Sequence, residues 1–189
     1  MPAIIHFSQS PDGAIIPYRA FKRGAQTNHG FADTRGRPDL AAWIAEGAGS
    51  AALRGLLVLA ASPESAVFTA GCDLGAHRDG AAPPDRAFVA GGYVQFLRRD
   101  YTETSIAAWK SWSDAAAGAV AAQCGRAHWQ VEFMLKEAHL TLDGFSGLTQ
   151  SVLVNFWAMA ASPSLAEASR ERLIAAVSAG VATSGFPPL

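Results

Sequence analysis

The densest gathering of reactive side chains in this chain of 189 residues is Phe68–Asp79, FTAGCDLGAHRD. A thiol (Cys72), two carboxylates (Asp73 and Asp79) and an imidazole (His77) fall close together between glycines. A cysteine nucleophile needs a base within hydrogen-bond reach of its sulfur and surroundings that favour the thiolate. Cys72, Asp73 and His77 are therefore the candidate catalytic residues, for hydrolase or acyl-transfer chemistry, provided that the loop folds back on itself. His6, His128 and His139 are equally available as partners. In the plainer reading, Cys72 packs as a small apolar residue at a strand end and Asp73 caps the next turn.

Other chemistry has thinner support. His77/Asp79 and Glu137/His139 are i,i+2 pairs that share a strand face, yet neither has an identifiable second half, so no metal site is expected. Glu132 and Glu137 have no defined relative orientation as an acid and base pair. No GxxxxGK[ST] occurs and no GxGxxG opens a helix, so no nucleotide cofactor is implied. Trp109 and Trp112, three apart on an expected helix, are candidate ligand or partner contacts, with core packing as the alternative. Arg35 and Arg37 join them, because Arg19, Lys22, Arg23, Arg35 and Arg37 face only Asp33 within Arg19–Arg37.

The stretch Leu53–Leu59 followed by Ala66–Leu74 resembles the strand and first oxyanion-hole loop of the crotonase (enoyl-CoA hydratase) family. The resemblance implies backbone N–H groups holding an acyl-CoA thioester carbonyl. It covers a short part of the chain, no second glycine-rich segment follows at a suitable distance, and the chain is short for that fold. It is therefore set aside.

Composition bounds the rest. Half the residues are apolar, 16% are charged and the net charge is −1, which suits one compact domain over residues 1–189 and steers it toward neither nucleic acid nor an anionic membrane. The apolar runs are too short to span a bilayer, and MPAIIHFSQSPDG lacks the basic start of a secretory signal. Cys72 and Cys124 form no ligand spacing, and a reduced, cytoplasmic protein is the simplest expectation.

The elements that must position these groups begin with two strands, Ala3–Phe7 and Ala14–Phe21, joined as a hairpin across Pro11 and Gly13. Gly24–Pro38 reads as a long loop. Pro38 starts a helix through Leu40, Trp43 and Ile44 that Gly47–Gly49 ends. Gly55–Ala61 and Ala66–Gly71 suggest a second hairpin, Ala76–Pro84 a loop, and Asp85–Arg99 a helix weakened by Gly91-Gly92. A further helix runs from a Thr102 cap to Gln123, with Gly125 as its stop and Ile106, Trp109, Val120 and Cys124 as its inward stripe.

Trp129, Val131, Phe133 and Leu135 alternate with Gln130, Glu132 and Lys136, the mark of a half-buried strand. The next apolar pair, Leu140 and Leu142, lies on the other parity, so a turn or a bulge is expected near Lys136–Ala138. The competing reading makes Glu132–Leu140 helical. Ser151–Ala160 is apolar on both faces and suits a central strand. Ser164 and Glu167 suggest a capping box for the last helix, whose face carries Leu165, Ala168, Leu173, Ile174 and Val177.

The expected fold is α+β: a mainly antiparallel, twisted sheet of about six or seven strands against three or four helices in a single layer. The expected function is non-catalytic, through protein association, homo-oligomerisation or binding of a small apolar molecule. A small enzyme at Cys72–His77 is the alternative.

Overall fold

The computed structural model describes residues 4–24, 26–102, 104–124, 128–183 and 186. In chain order the elements are β1 (Ile4–Ile16), β2 (Phe21–Arg23), β3 (Gln26–Asn28), α1 (Pro38–Ala41), α2 (Ala51–Ala61), β4 (Val67–Arg78), β5 (Phe88–Arg98), α3 (Ile106–Cys124), β6 (Trp129–Leu142), β7 (Phe145–Ala160) and α4 (Pro163–Thr183). Short 3-10 turns stand at Ala45–Gly47 and Pro84–Arg86. The fold is α+β. Five strands form a mixed sheet in the order β1-β6-β7-β5-β4, and β2 pairs with β3 in a separate ribbon. Only β1 and β6 run parallel within the five; their neighbours are antiparallel. α4 lies over β5 and β7, between α2, which also meets β4, and α3, which also meets β6. No described helix is long and apolar enough to cross a membrane.

β7 is the middle strand of the five, as its two apolar faces require. β6 keeps an unbroken register against β7 from Trp129↔Ala158 to Leu142↔Phe145, so neither the turn nor the bulge expected at Lys136–Ala138 exists. Instead the covering layer changes sides. Trp129, Val131 and Phe133 bury against the helices, whereas Ala138 and Leu140 belong to a second core with Ile16, Phe68, Ala70 and Leu97. Phe31 and Tyr101 close that second core. A strand with fixed alternation can switch its buried parity when a different layer covers each end. The β6–β7 turn places Asp143 at φ 52 and Gly144 at φ 80, the type I′ geometry that the Asp-Gly pair favours.

Three other assignments change. The expected N-terminal hairpin is one strand: β1 runs through Pro11–Gly13 with a register shift between Ser10 and Ala14. Gly55–Ala61 is helical, not a strand, which also removes the crotonase likeness. Ser50 caps that helix by accepting the Leu53 N–H at 3.0 Å, and Leu53, Leu56, Leu57 and Ala60 give its buried stripe. Residues 88–98 are strand β5, not a helix. Its glycines permit close strand approach: a Cβ on Gly91 would meet the Phe156 carbonyl oxygen at 2.7 Å, and one on Gly92 would overlap the Asp73 carbonyl oxygen.

Smaller shifts follow local chemistry. β4 extends through Arg78, so the first three residues of the expected loop 76–84 are strand. The helix begun at Pro38 ends at Ala41, and β3 occupies part of the expected loop 24–38. Ser105 Oγ, not Thr102, accepts from the Ala108 N–H at 3.2 Å at the start of α3. Ser162 Oγ, not Ser164, accepts from Leu165 N–H at 3.4 Å at the start of α4. The stop assigned to Gly125 lies outside the described residues.

Candidate functional site

The expected catalytic group does not assemble. Cys72 pairs with Val94 and His77 with Val89 across β4 and β5, so the odd spacing sends the two side chains to opposite faces of β4. Burial pushes the Cys72 thiol up to about 12, helped by the negative charges of Glu46 and Asp73. A nucleophilic thiol requires the reverse shift. Asp73 is exposed and accepts its own neighbour's N–H, from Leu74 at 2.8 Å. His77 is exposed beside Phe88, Val89, Pro163 and Ala166.

Trp109 and Trp112 are both core residues, 1% exposed, with ring centroids 5.4 Å apart edge to face. Phe186 lies 5.1 Å from Trp109, and Phe96 lies 5.6 Å from Trp112. Both indole N–H groups are buried without a hydrogen-bond partner among the described residues. Arg35 clamps two acids: Nη2 lies 2.7 Å from Asp33 Oδ2, and Nη1 lies 2.7 Å from Asp143 Oδ2. Arg37 is exposed and pairs with Asp39 at 3.3 Å. Glu132 and Glu137 separate onto opposite faces of β6, because five positions divide them along an unbroken register. Glu132 accepts from Ser8 Oγ at 2.8 Å and Asn155 Nδ2 at 3.0 Å. No group of three or more His, Cys, Asp or Glu that could hold a metal exists among the described residues.

Two clefts flank the sheet, one at each edge. The first, about 280 Å³, opens between β1 and the start of α3. Phe7, Ile106, Trp109, Phe133, Leu135 and Val152 supply its apolar lining, with Ser113 and Gln9 as polar points. Phe7 is 44% exposed and stacks on Phe133 at 5.7 Å; Ile106 is 50% exposed. Lys110 stands at the mouth, its Nζ 5.5 Å from the Phe7 ring centre and 2.9 Å from Asp114.

The second cleft, about 250 Å³, lies at the outer edge of β4. Thr69, Ala70, Gly71 and Cys72 form its floor. Four successive residues can share one cleft because the register slips between Thr69 and Gly71, a bulge on an edge strand. Tyr18, His29, Thr34, Trp43, Glu46 and Leu57 are among the residues that complete its lining. Sequence reading missed this site, since Tyr18, Thr34 and Glu46 carry no motif. The one signal was Trp43, placed on a segment that ends at Gly47 and is too short to bury an indole.

Set against protein-family models, curated proteins and solved structures, the chain matches none.

Proposed function

We propose that this protein is a non-catalytic binding domain that takes a small apolar molecule in the cleft between β1 and α3. The supporting observation is the lining: aromatic and aliphatic side chains on four elements, with Phe7 and Ile106 left exposed at the mouth. Apolar surface held open to water lowers its free energy by about 25 cal/mol per Å² when a ligand covers it. Pockets of this character, mostly apolar with a few polar points, are the usual small-molecule sites.

The alternative, hydrolase or acyl-transfer chemistry around Cys72–His77, needs a lowered thiol pKa and a base within reach. The raised Cys72 and the opposite-face placement of His77 speak against its thiol form. Protein association is a second reading, favoured by Ile15 and Leu148. They flank His139 on neighbouring strands and stand 74% and 58% exposed. A monomer at high concentration in light scattering would count against it.

The test of the first reading is titration with toluene, followed by NMR shifts of the tryptophan indole N–H groups and methyl groups. Saturable shifts confined to the β1–α3 cleft are expected, with loss of binding in Ile106→Trp, which fills the mouth. No saturable shift, or unchanged binding in a folded I106W variant, would overturn the reading.

A further inference from the structure

The cleft at the edge of β4 differs in chemistry from its apolar counterpart. Glu46 is half-buried in its wall and makes no ion pair or hydrogen bond among the described residues. Arg54, which follows in α2, spends its Nη2 on the carbonyls of Gly47 and Ala48, at 3.4 and 3.3 Å. Among the described residues no Lys or Arg lines the cleft, and His29 is its one basic side chain. An uncompensated carboxylate in a partly desolvated wall favours a cation beside it.

Trp43 stands at the rim with 86% of its surface exposed. An exposed indole beside a carboxylate offers both a π-face and a counter-charge to a cation. Thr34 is 2% exposed, lines the same cleft, and its Oγ1 lacks a hydrogen-bond partner among the described residues. The floor adds backbone acceptors. β4 ends the sheet, and no described group hydrogen-bonds to the outer edge of Thr69–Cys72.

The neighbouring acids tell the same story. Burial, then Tyr93, Cys72 and Glu46, push the Tyr18 phenol up to about 12. Burial, then Asp73, Cys72 and Glu46, push Tyr93 up. The carboxylates among these groups are Glu46 and Asp73, whereas the buried Cys72 thiol and Tyr93 phenol stay protonated and uncharged at neutral pH, so the negative charge here is that of the two carboxylates.

We infer that this cleft binds an organic ammonium ion with an apolar flank, with Glu46 as counter-charge, edge carbonyls of β4 accepting its N–H groups and Trp43 covering the flank. A volume of about 250 Å³ suits one amine of side-chain size. The ammonium belongs either to a free amine or to a lysine side chain. This site is independent of the proposed apolar ligand, which occupies the opposite edge of the sheet.

The test titrates the intact protein with 2-phenylethylammonium, with Nα-acetyl-lysine methylamide and with the neutral isostere 2-phenylethanol, by NMR and calorimetry. Saturable binding of at least one cation is expected, about tenfold or more tighter than 2-phenylethanol, and weakened to a similar degree in Glu46→Gln and Trp43→Ala. Tighter binding of phenylethylammonium assigns the site to free amines; tighter binding of the lysine derivative assigns it to a protein side chain. Glu46 makes no hydrogen bond, so E46Q is expected to keep the wild-type melting temperature. Three outcomes would overturn the inference: no saturable binding of either cation, equal affinity for the alcohol, or affinity unchanged in E46Q.

Discussion

Arg35 Nη1 lies 2.7 Å from Asp143 Oδ2, joining the segment after β3 to the turn between β6 and β7. The same guanidinium holds Asp33 and sits 5.1 Å over the Phe68 ring, in the second core. Its side chain is 14% exposed, whereas those of Asp33 and Asp143 are 39% and 57% exposed, so water screens these bonds from the acid side. Arg35→Ala is expected to cost about 1–3 kcal/mol, through lost charge-assisted hydrogen bonds and lost packing on Phe68. Chemical denaturation of the variant measures this, and a change below about 0.5 kcal/mol would refute the clamp.

This clamp has a pH signature. The side-chain hydrogen bond from Arg35 holds the Asp33 carboxyl below its ordinary range. A carboxylate with a lowered folded-state value stabilises the fold above its unfolded pKa of about 3.9, and that stability is lost as pH falls through the lowered value. Wild type and Asp33→Asn are therefore expected to differ at pH 6 and to converge as acidification passes the lowered carboxyl value. A stability difference that is flat from pH 6 to pH 2 would contradict this.

Gly180 marks where α4 crosses α3. A Cβ there would lie 2.8 Å from Ala116 Cα and 2.9 Å from its carbonyl oxygen, both backbone atoms that cannot swing away. Gly180→Ala should therefore destabilise by about 1–3 kcal/mol, despite the better helix propensity of alanine. Thermal melting decides it; a raised melting temperature would mean that the helices separate at little cost.

Cys72 should be a poor nucleophile. With its thiol pushed up to about 12 by burial, alkylation by iodoacetamide at pH 8 is expected to run at least about tenfold slower than for glutathione. A rate equal to glutathione's would return Cys72 to the catalytic candidates.

Ala138 and Leu140 test the two-sided burial of β6. Both are fully buried on the side facing Ile16 and Phe68. Leu140→Ala should cost about 2–5 kcal/mol, comparable to truncating a residue of the helix-side core. A cost near that of an exposed position would mean that the second core is not closed in solution.

Much of the C-terminal half was legible in the residues themselves. The alternation from Trp129 to Leu135, the Asp143-Gly144 turn, the two-faced apolar run of β7 and the helix around Leu173–Val177 each report a local periodicity. Periodicity follows from backbone geometry, so it survives without knowledge of neighbours. Where the pattern was short or rich in small residues, it misled. Leu56–Leu59 fits a strand or a buried helix equally well, and only the Ser50 cap separates them. Phe88–Arg98 carries a helical-looking stripe, but pairing on both sides with β4 and β7 outweighs it.

The candidate sites lay deeper still. Sequence proximity placed Cys72 beside His77, and the pleat of one strand sends them apart. Residues far apart in sequence, Tyr18, Thr34, Glu46 and Cys72, converge on one cleft. The chain alone determined that it would fold as α+β around an apolar core, because composition and local period set those terms. Only the tertiary structure decided which layer covers each end of β6, which strand edge stays open and which carboxylate is left without a partner among the described residues. These depend on contacts between distant segments, whose free energies no local window contains.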